Sequence, residues 1–468
     1  MATLIEQKPL YTQLPVGQEV IFVVSNNTIL SNPVFTNFRF IADVYISDTI
    51  PTSISSTSTP TATFKTAPNN AAVGIFDFKQ VVENYVSADN MAYNQSKYKT
   101  IVTSDDTPHP VHLIDKYSRN KKAARWLTIQ FKTQYFDTQF NETEVVDLQN
   151  SIDYQLFNGY LKYSDILTMG TAPNANDFGF DLSNYNLSAQ TDSFLTNAPA
   201  TQYANLEDYG TLAFLSPNDN LDYIKLTYND SSGSQIGTEN INKNWTNGAY
   251  TNFTTKISEK LLYFGCFPAN LQNWSGTFQA LVSAGTIQGG SIVVQAFSFS
   301  VTVGISKAYT INVNCPNLKG FESIRLCWLN QWGAWDYYTF TQKSVRSIST
   351  KGSTYEQLAG TWNEAAYRVD SYKGGKKSFR VNATEKITMN SDFVSESEND
   401  MFEELINSPE VYILEGYQTD ASFSALNQYV KPVRLTTSSF TKKTVANDKL
   451  IQYTFEVEKS KTLRTQSV

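Results

Sequence analysis

The chain of 468 residues has little sulfur and almost no histidine: three Cys, five Met and two His. An odd, low cysteine count (Cys266, Cys315 and Cys327) excludes a disulfide framework. Cys327 stands in the apolar run Ile-Arg-Leu-Cys-Trp-Leu and reads as a buried small hydrophobe. No Cys-x-x-Cys pair offers a structural zinc site. Both histidines, His109 and His112, fall in Thr-Pro-His-Pro-Val-His, where the prolines forbid a helical metal face. With Asp105, Asp106 and Asp115 nearby, that segment reads as a proline-stiffened surface loop. Charge is also sparse, at 17% against the usual ~25%. A net charge of −7 and a pI of about 5.1 argue against a nucleic-acid partner. No apolar run reaches 18 residues, and mean hydropathy is −0.33, so no membrane insertion is expected. Met1 to Leu10 carries no basic region followed by an apolar one, which points to synthesis and folding in a cytoplasm. Dinucleotide, Walker A, nucleophile-elbow and His-Glu-x-x-His patterns are all missing, and no cofactor is expected.

What is abundant is aromatic: 29 Phe, 27 Tyr and 7 Trp. That much apolar area supports real cores and excludes wholesale disorder. Strand patterning dominates. Phe38 to Ile46, Trp126 to Phe131 and Leu221 to Tyr228 alternate with period two. Asp230-Ser-Ser-Gly233 then predicts a hairpin turn. Ser291 to Val303 reads as one long strand. Only two helices stand out. Asp77 to Val86 has helical spacing and an N-terminal Asp. Ser395 to Asn407 has a Ser-x-x-Glu capping box, an apolar face of Met401, Phe402, Leu405 and Ile406, and a stop at Ser408-Pro409. The expected architecture is mainly β: two β-sandwich-like domains, 1–150 and 151–317, followed by a small α+β domain, 318–468, with one short capped helix. The Ser/Thr/Pro tract 51–63 suits a linker or an exposed loop.

Chemistry-bearing patterns are few. Acidic pairs such as Glu142/Glu144 and Glu207/Asp208 sit in polar context, and nothing in the sequence sets two carboxylates at a catalytic separation. Gly374-Gly375, flanked by Lys373, Lys376 and Lys377, makes a small basic turn that reads as a solvated hairpin tip. The densest feature is Cys327 to Phe340. Its Trp328, Trp332, Trp335, Tyr337 and Tyr338 are candidate interface or glycan contacts. The competing reading is a hairpin, with strands 322–329 and 335–340 about a turn at 330–333, whose alternate aromatics enter a core.

Several strings resemble virion structural proteins of tailed bacteriophages, particularly phages of Bacteroidetes-type hosts. They include Phe38-Arg-Phe-Ile-Ala-Asp-Val-Tyr-Ile, Gly74 to Val86, Tyr209-Gly-Thr-Leu-Ala-Phe-Leu, Phe264-Gly-Cys-Phe-Pro-Ala-Asn-Leu, Trp328 to Tyr338 and Lys443 to Glu458. The resemblance implies a tail, baseplate or neck component in the virion, without catalytic residues. Its partners would be copies of itself in a ring and other tail or neck proteins. A host-surface glycan is the alternative partner, through the aromatic run. Exposed strand edges then become seams between subunits, and the polar loops 51–63 and 170–205 become arms reaching neighbours.

Overall fold

The computed structural model describes residues 3–50, 54, 58–86, 117–120, 123–162, 165, 182–216, 220–243, 261–315, 320–415, 430–444, 450–461 and 463–464. His109, His112 and the three aspartates near them lie outside these residues. The chain is mainly β, with few and short helices. It gathers into two compact units. The first takes the described residues up to Cys315 together with Leu329–Asp336, and the second takes the remainder from 320 onward. One boundary thus lies near the expected break at 317. The expected break near 150 lies inside the first unit, where Tyr154–Phe157 pairs antiparallel with Ala124–Asp137.

In the first unit, a six-stranded sheet runs in the order Gln13–Pro15, Tyr154–Phe157, Ala124–Asp137, Phe35–Ser47, Ala62–Thr66, with Glu142–Asn150 also paired to Ala124–Asp137. A three-stranded sheet of Leu4–Gln7, Ile21–Ser25 and Val73–Asp77 accompanies it. Period-two patterning explains their joint core. Phe40, Ala42 and Val44 leave one face of their strand, Leu127, Ile129 and Phe131 one face of theirs, and all meet Phe22, Val24 and Phe76. Phe22 sits at the centre, its ring 5.5–5.8 Å from those of Phe78, Phe131 and Tyr154. Asp43, on the opposite face from Ala42 and Val44, pairs with Lys132 at 2.5 Å. The helix expected over Asp77 to Val86 shrinks to Lys79–Val82. Asp77 instead ends a strand, and its carboxylate accepts the amides of Val20 (3.1 Å) and Lys79 (3.0 Å).

The rest of the first unit holds a five-stranded sheet, ordered Thr201–Ala204, Tyr309–Val313, Ser291–Phe297, Tyr223–Asn229, Gln235–Asn242, and a three-stranded sheet of Thr211–Phe214, Leu261–Gly265 and Tyr117–Asn120. The hairpin foreseen after Tyr228 is present. The Asp230 carboxylate accepts the amides of Ser232 and Ser234, each at 2.9 Å, and Gly233 supplies the positive φ of +84° that the turn needs. The strand expected from Ser291 to Val303 stops at Phe297. Here the Asp222 carboxylate accepts the Phe299 amide (2.7 Å) and the Ser298 hydroxyl (2.9 Å), drawing the chain off its extended course. Two helices that patterning does not announce, Pro268–Trp274 and Gly276–Ser283, follow Leu261–Gly265. Pro268 opens the first, and the Ser275 hydroxyl caps the second by accepting the Phe278 amide at 3.0 Å.

The second unit is organised by one eight-stranded sheet. Its order is Trp335–Phe340, Ile324–Leu329, Val411–Leu414, Val430–Leu435, Thr454–Lys459, Gly375–Asn390, Val345–Gln357, with Leu463–Arg464 added on Gly375–Asn390. The capped helix stands where the sequence places it. Glu396–Glu398 forms a 3₁₀ turn, Asn399–Asn407 an α-helix, and the Glu398 carboxylate accepts the Ser395 amide at 2.9 Å. Phe402 anchors it, with ring centroids 5.0 Å from Tyr338 and 5.4 Å from Tyr453 and Phe455.

Candidate interaction surface

The aromatic run from Cys327 forms the hairpin that competed with the platform reading: Ile324–Leu329 and Trp335–Phe340 about a tight turn. Asn330 builds the turn. Its side-chain oxygen accepts the amides of Trp332 (3.0 Å) and Ala334 (2.9 Å), and Gly333 takes a φ of +72°. Trp328, Trp332, Trp335 and Tyr337 are buried and Tyr338 is half-buried. Trp332 donates from Nε1 to the Asn197 side chain at 3.2 Å and lies 4.6 Å from the Tyr185 ring. Tyr337 lies 5.2 Å beneath the Arg325 guanidinium. The Tyr338 hydroxyl accepts the Asp392 amide at 3.2 Å, and burial pushes its acidity down. A sugar-stacking face needs open rings. These side chains are committed to the interior, because both faces of the hairpin are covered and nearly every residue of its two strands is buried. Cys327 is likewise buried and free, and burial pushes its thiol pKa up.

The same turn holds a buried carboxylate. Asp336 accepts the Thr196 hydroxyl at 2.5 Å on Oδ1, while Oδ2 is buried without a partner. Burial raises its pKa to about 6. Hydrogen bonds from Thr196, Asn330 and Asn197 oppose that rise, and the charge of Asp336 in turn helps raise the Tyr309 hydroxyl. Among the described residues, no group of three or more His, Cys, Asp or Glu gathers to hold a metal ion.

The exposed aromatics lie elsewhere. Val345–Gln357 and Gly375–Asn390 pair antiparallel along a ribbon. Only the base of the ribbon joins the sheet: residues from Lys386 to Asn390 pair with Thr454–Lys459, and Asn382 and Ala383 pair with Leu463–Arg464. Beyond Asn382, the two strands pair only with each other among the described residues. Beyond that base, residues 352–357 give six residues of extended strand, an arm of about 20 Å. Nearly every side chain of Val345–Gln357 is exposed, so the arm lacks a buried face. The basic turn foreseen at Gly374-Gly375 is the return bend of this arm, with φ of +92° and +73° at its two glycines. Between the strands, 358–374 folds back on itself: Thr361 donates its amide to the Arg368 carbonyl at 2.9 Å, and Asp370 donates to Ala359 at 2.9 Å. This tip displays Leu358, Trp362, Tyr367, Val369 and Tyr372, and Trp362 is 84% exposed.

The arm also departs in charge. Residues 345–390 carry eight basic and four acidic side chains, a net of +4 within a chain of net −7, so the remainder carries −11. Lys373 pairs with Asp370 at 2.9 Å and Arg346 bridges Glu322 and Glu385. Those neighbouring carboxylates hold Arg346 protonated; in turn Arg346 holds Glu322, and Lys459 with Arg346 holds Glu385, below the usual carboxylate range. Lys351, Lys376, Lys377 and Arg380 make no ion pair among the described residues. Exposed aromatics interleaved with unpaired cations, on a ribbon with free edges, form a surface suited to binding another macromolecule. Compared with known proteins, the chain matches no family model and no curated sequence at a significant level.

Proposed function

We propose that this chain is a non-enzymatic structural component of a tailed-phage virion, in the tail, baseplate or neck ring, assembling through β-rich, aromatic-anchored subunit interfaces. The observation that carries the reading is the arm over 345–390. A two-stranded ribbon is marginal in water by itself, and this one exposes apolar rings that folding of the chain leaves uncovered. Such a ribbon gains most when another protein surface covers it, which is how stacked β-rich subunits hold together. The strings that resemble phage virion proteins give the setting, and the partners are copies of this chain and neighbouring tail or neck proteins. The reading is tested by immunogold electron microscopy on purified particles from the source of the chain. Gold at the neck, along the tail or at its tip supports a virion component and says where it sits. Chain confined to lysate, with particles unlabelled, refutes it.

A further inference from the structure

The arm has a complementary site on this same chain. Strand Glu142–Asn150 pairs on one side only, with Ala124–Asp137, and its other edge is free among the described residues. It holds three acids and no base: Glu142, Glu144 and Asp147. Glu142 and Glu144 make no ion pair among the described residues. Val145 and Leu148 are 50% and 60% exposed. On the arm, Val345–Gln357 is the outer strand of its sheet, and its Val345 and Ile348 are 49% and 63% exposed.

We propose that the outer strand of the arm of one copy adds antiparallel to the free edge of Glu142–Asn150 of a second copy, with Val345 opposite Leu148 and Ile348 opposite Val145. This rests on the assembly reading above and names the partner surface. The register follows from spacing. Each strand exposes two aliphatic residues three positions apart, so one antiparallel alignment brings both pairs together; the edge strand bulges opposite Phe131–Thr133, so Ile348 against Val145 sets the register and Val345 meets Leu148 at the bulge. That alignment, chosen on the aliphatic pairs alone, also sets Lys351, which has no ion pair among the described residues, opposite Glu142. Nowhere in it do like charges face each other. Main-chain hydrogen bonds supply affinity, and the opposed charges fix direction and register. Each copy contributes one arm and one edge strand, so reciprocal exchange between two copies closes a dimer and one-way exchange propagates into a ring or a filament.

The test uses the full chain, by sedimentation velocity over a range of concentration and salt. Wild type is expected to self-associate, more weakly as salt rises. Lys351→Glu and Glu142→Lys should each weaken self-association at least tenfold, with far-ultraviolet circular dichroism and melting temperature unchanged. Mixing the two variants should restore association, because the acidic arm of one meets the basic edge of the other. A wild type that stays monomeric at every concentration overturns the inference. So do single variants that associate like wild type, or a mixture that does not recover. A cross-link between copies carrying Ile348→Cys and copies carrying Val145→Cys supports the register, and its failure to form refutes it. If particles label with gold yet the mixture fails, the arm contact falls and the virion reading stands. The reverse pattern removes the virion reading alone.

Discussion

Asp336→Asn isolates a pH dependence that the fold imposes on the chain. The wild-type carboxyl has an ordinary value of 3.8 and is raised to about 6 by burial. The folded protein therefore holds a proton that the unfolded chain has lost over the window from about pH 4 to 6. Stability falls as pH rises through that window and is level above it, since a raised acid favours the folded state only when protonated. At about 1.4 kcal/mol per tenfold change in acidity, the full loss is on the order of 3 kcal/mol. Spread over a unit of this size, that is a drop of about 4–5 °C in melting temperature. Asparagine cannot ionise, and its carbonyl still accepts the Thr196 hydroxyl. The assay is calorimetric melting of both proteins at half-unit steps from pH 4 to 7.5, reading the difference between them so that other carboxylates cancel. The variant should overtake the wild type progressively up to about pH 6 and hold a constant lead beyond. A difference that is flat with pH, or that grows in favour of the wild type, would refute the assignment of Asp336 as a carboxyl destabilised by its own ionisation.

Three further outcomes are expected. Gly333→Ala should lower stability by about 2 kcal/mol or more, because the residue sits at φ +72° and an added Cβ would lie 2.1 Å from the Asn158 carbonyl oxygen; thermal melting reads this directly. Phe402→Ala empties a fully buried site ringed by Tyr338, Tyr453 and Phe455 and should cost about 3–5 kcal/mol, seen as a loss of protection against proteolysis around 399–407. Trp362→Ser should leave the melting temperature within a degree or so, since an exposed side chain changes stability by about 0.5 kcal/mol at most. The same substitution should cut incorporation into particles about thirtyfold if this ring anchors a subunit contact, at about 2 kcal/mol for an interface anchor, and quantitative immunoblotting of purified particles measures it.

Elements governed by near neighbours in sequence were legible. The Ser395–Glu398 box and the Asn330–Gly333 turn are each closed by groups within four residues, so their residue types announce them. Where a distant partner decides, patterning misleads. Asp222 ends the strand after Phe297 from more than seventy residues away, and Asp77 is recruited by the Val20 amide as well as by its own turn. The helix Gly276–Ser283 carried a readable signal, Ser275 as its cap, but a glycine at its first position hid it. The arm was legible only at its glycine bend. Strands that bury nothing within their own chain have no reason to alternate, and Val345–Gln357 reads as a Ser/Thr-rich loop. The aromatic run illustrates the converse: density of Trp and Tyr marks a place where rings are needed, and only what covers the two faces of the hairpin decides that they are buried.

The position of Thr454–Lys459 between Val430–Leu435 and Gly375–Asn390 has a consequence for the newborn chain. The two strands of the arm are adjacent in sequence and meet within microseconds of emerging, whereas the strand that ties the base of the arm into its sheet follows roughly 60 residues later. At synthesis rates of about 5–20 residues per second, several seconds pass in which the ribbon is present and untethered. On a polysome, ribbons from successive ribosomes stand side by side through that interval with all their edges open. Lys351, Lys376, Lys377 and Arg380 give them a common positive sign, so nascent ribbons repel one another rather than zip into aggregates.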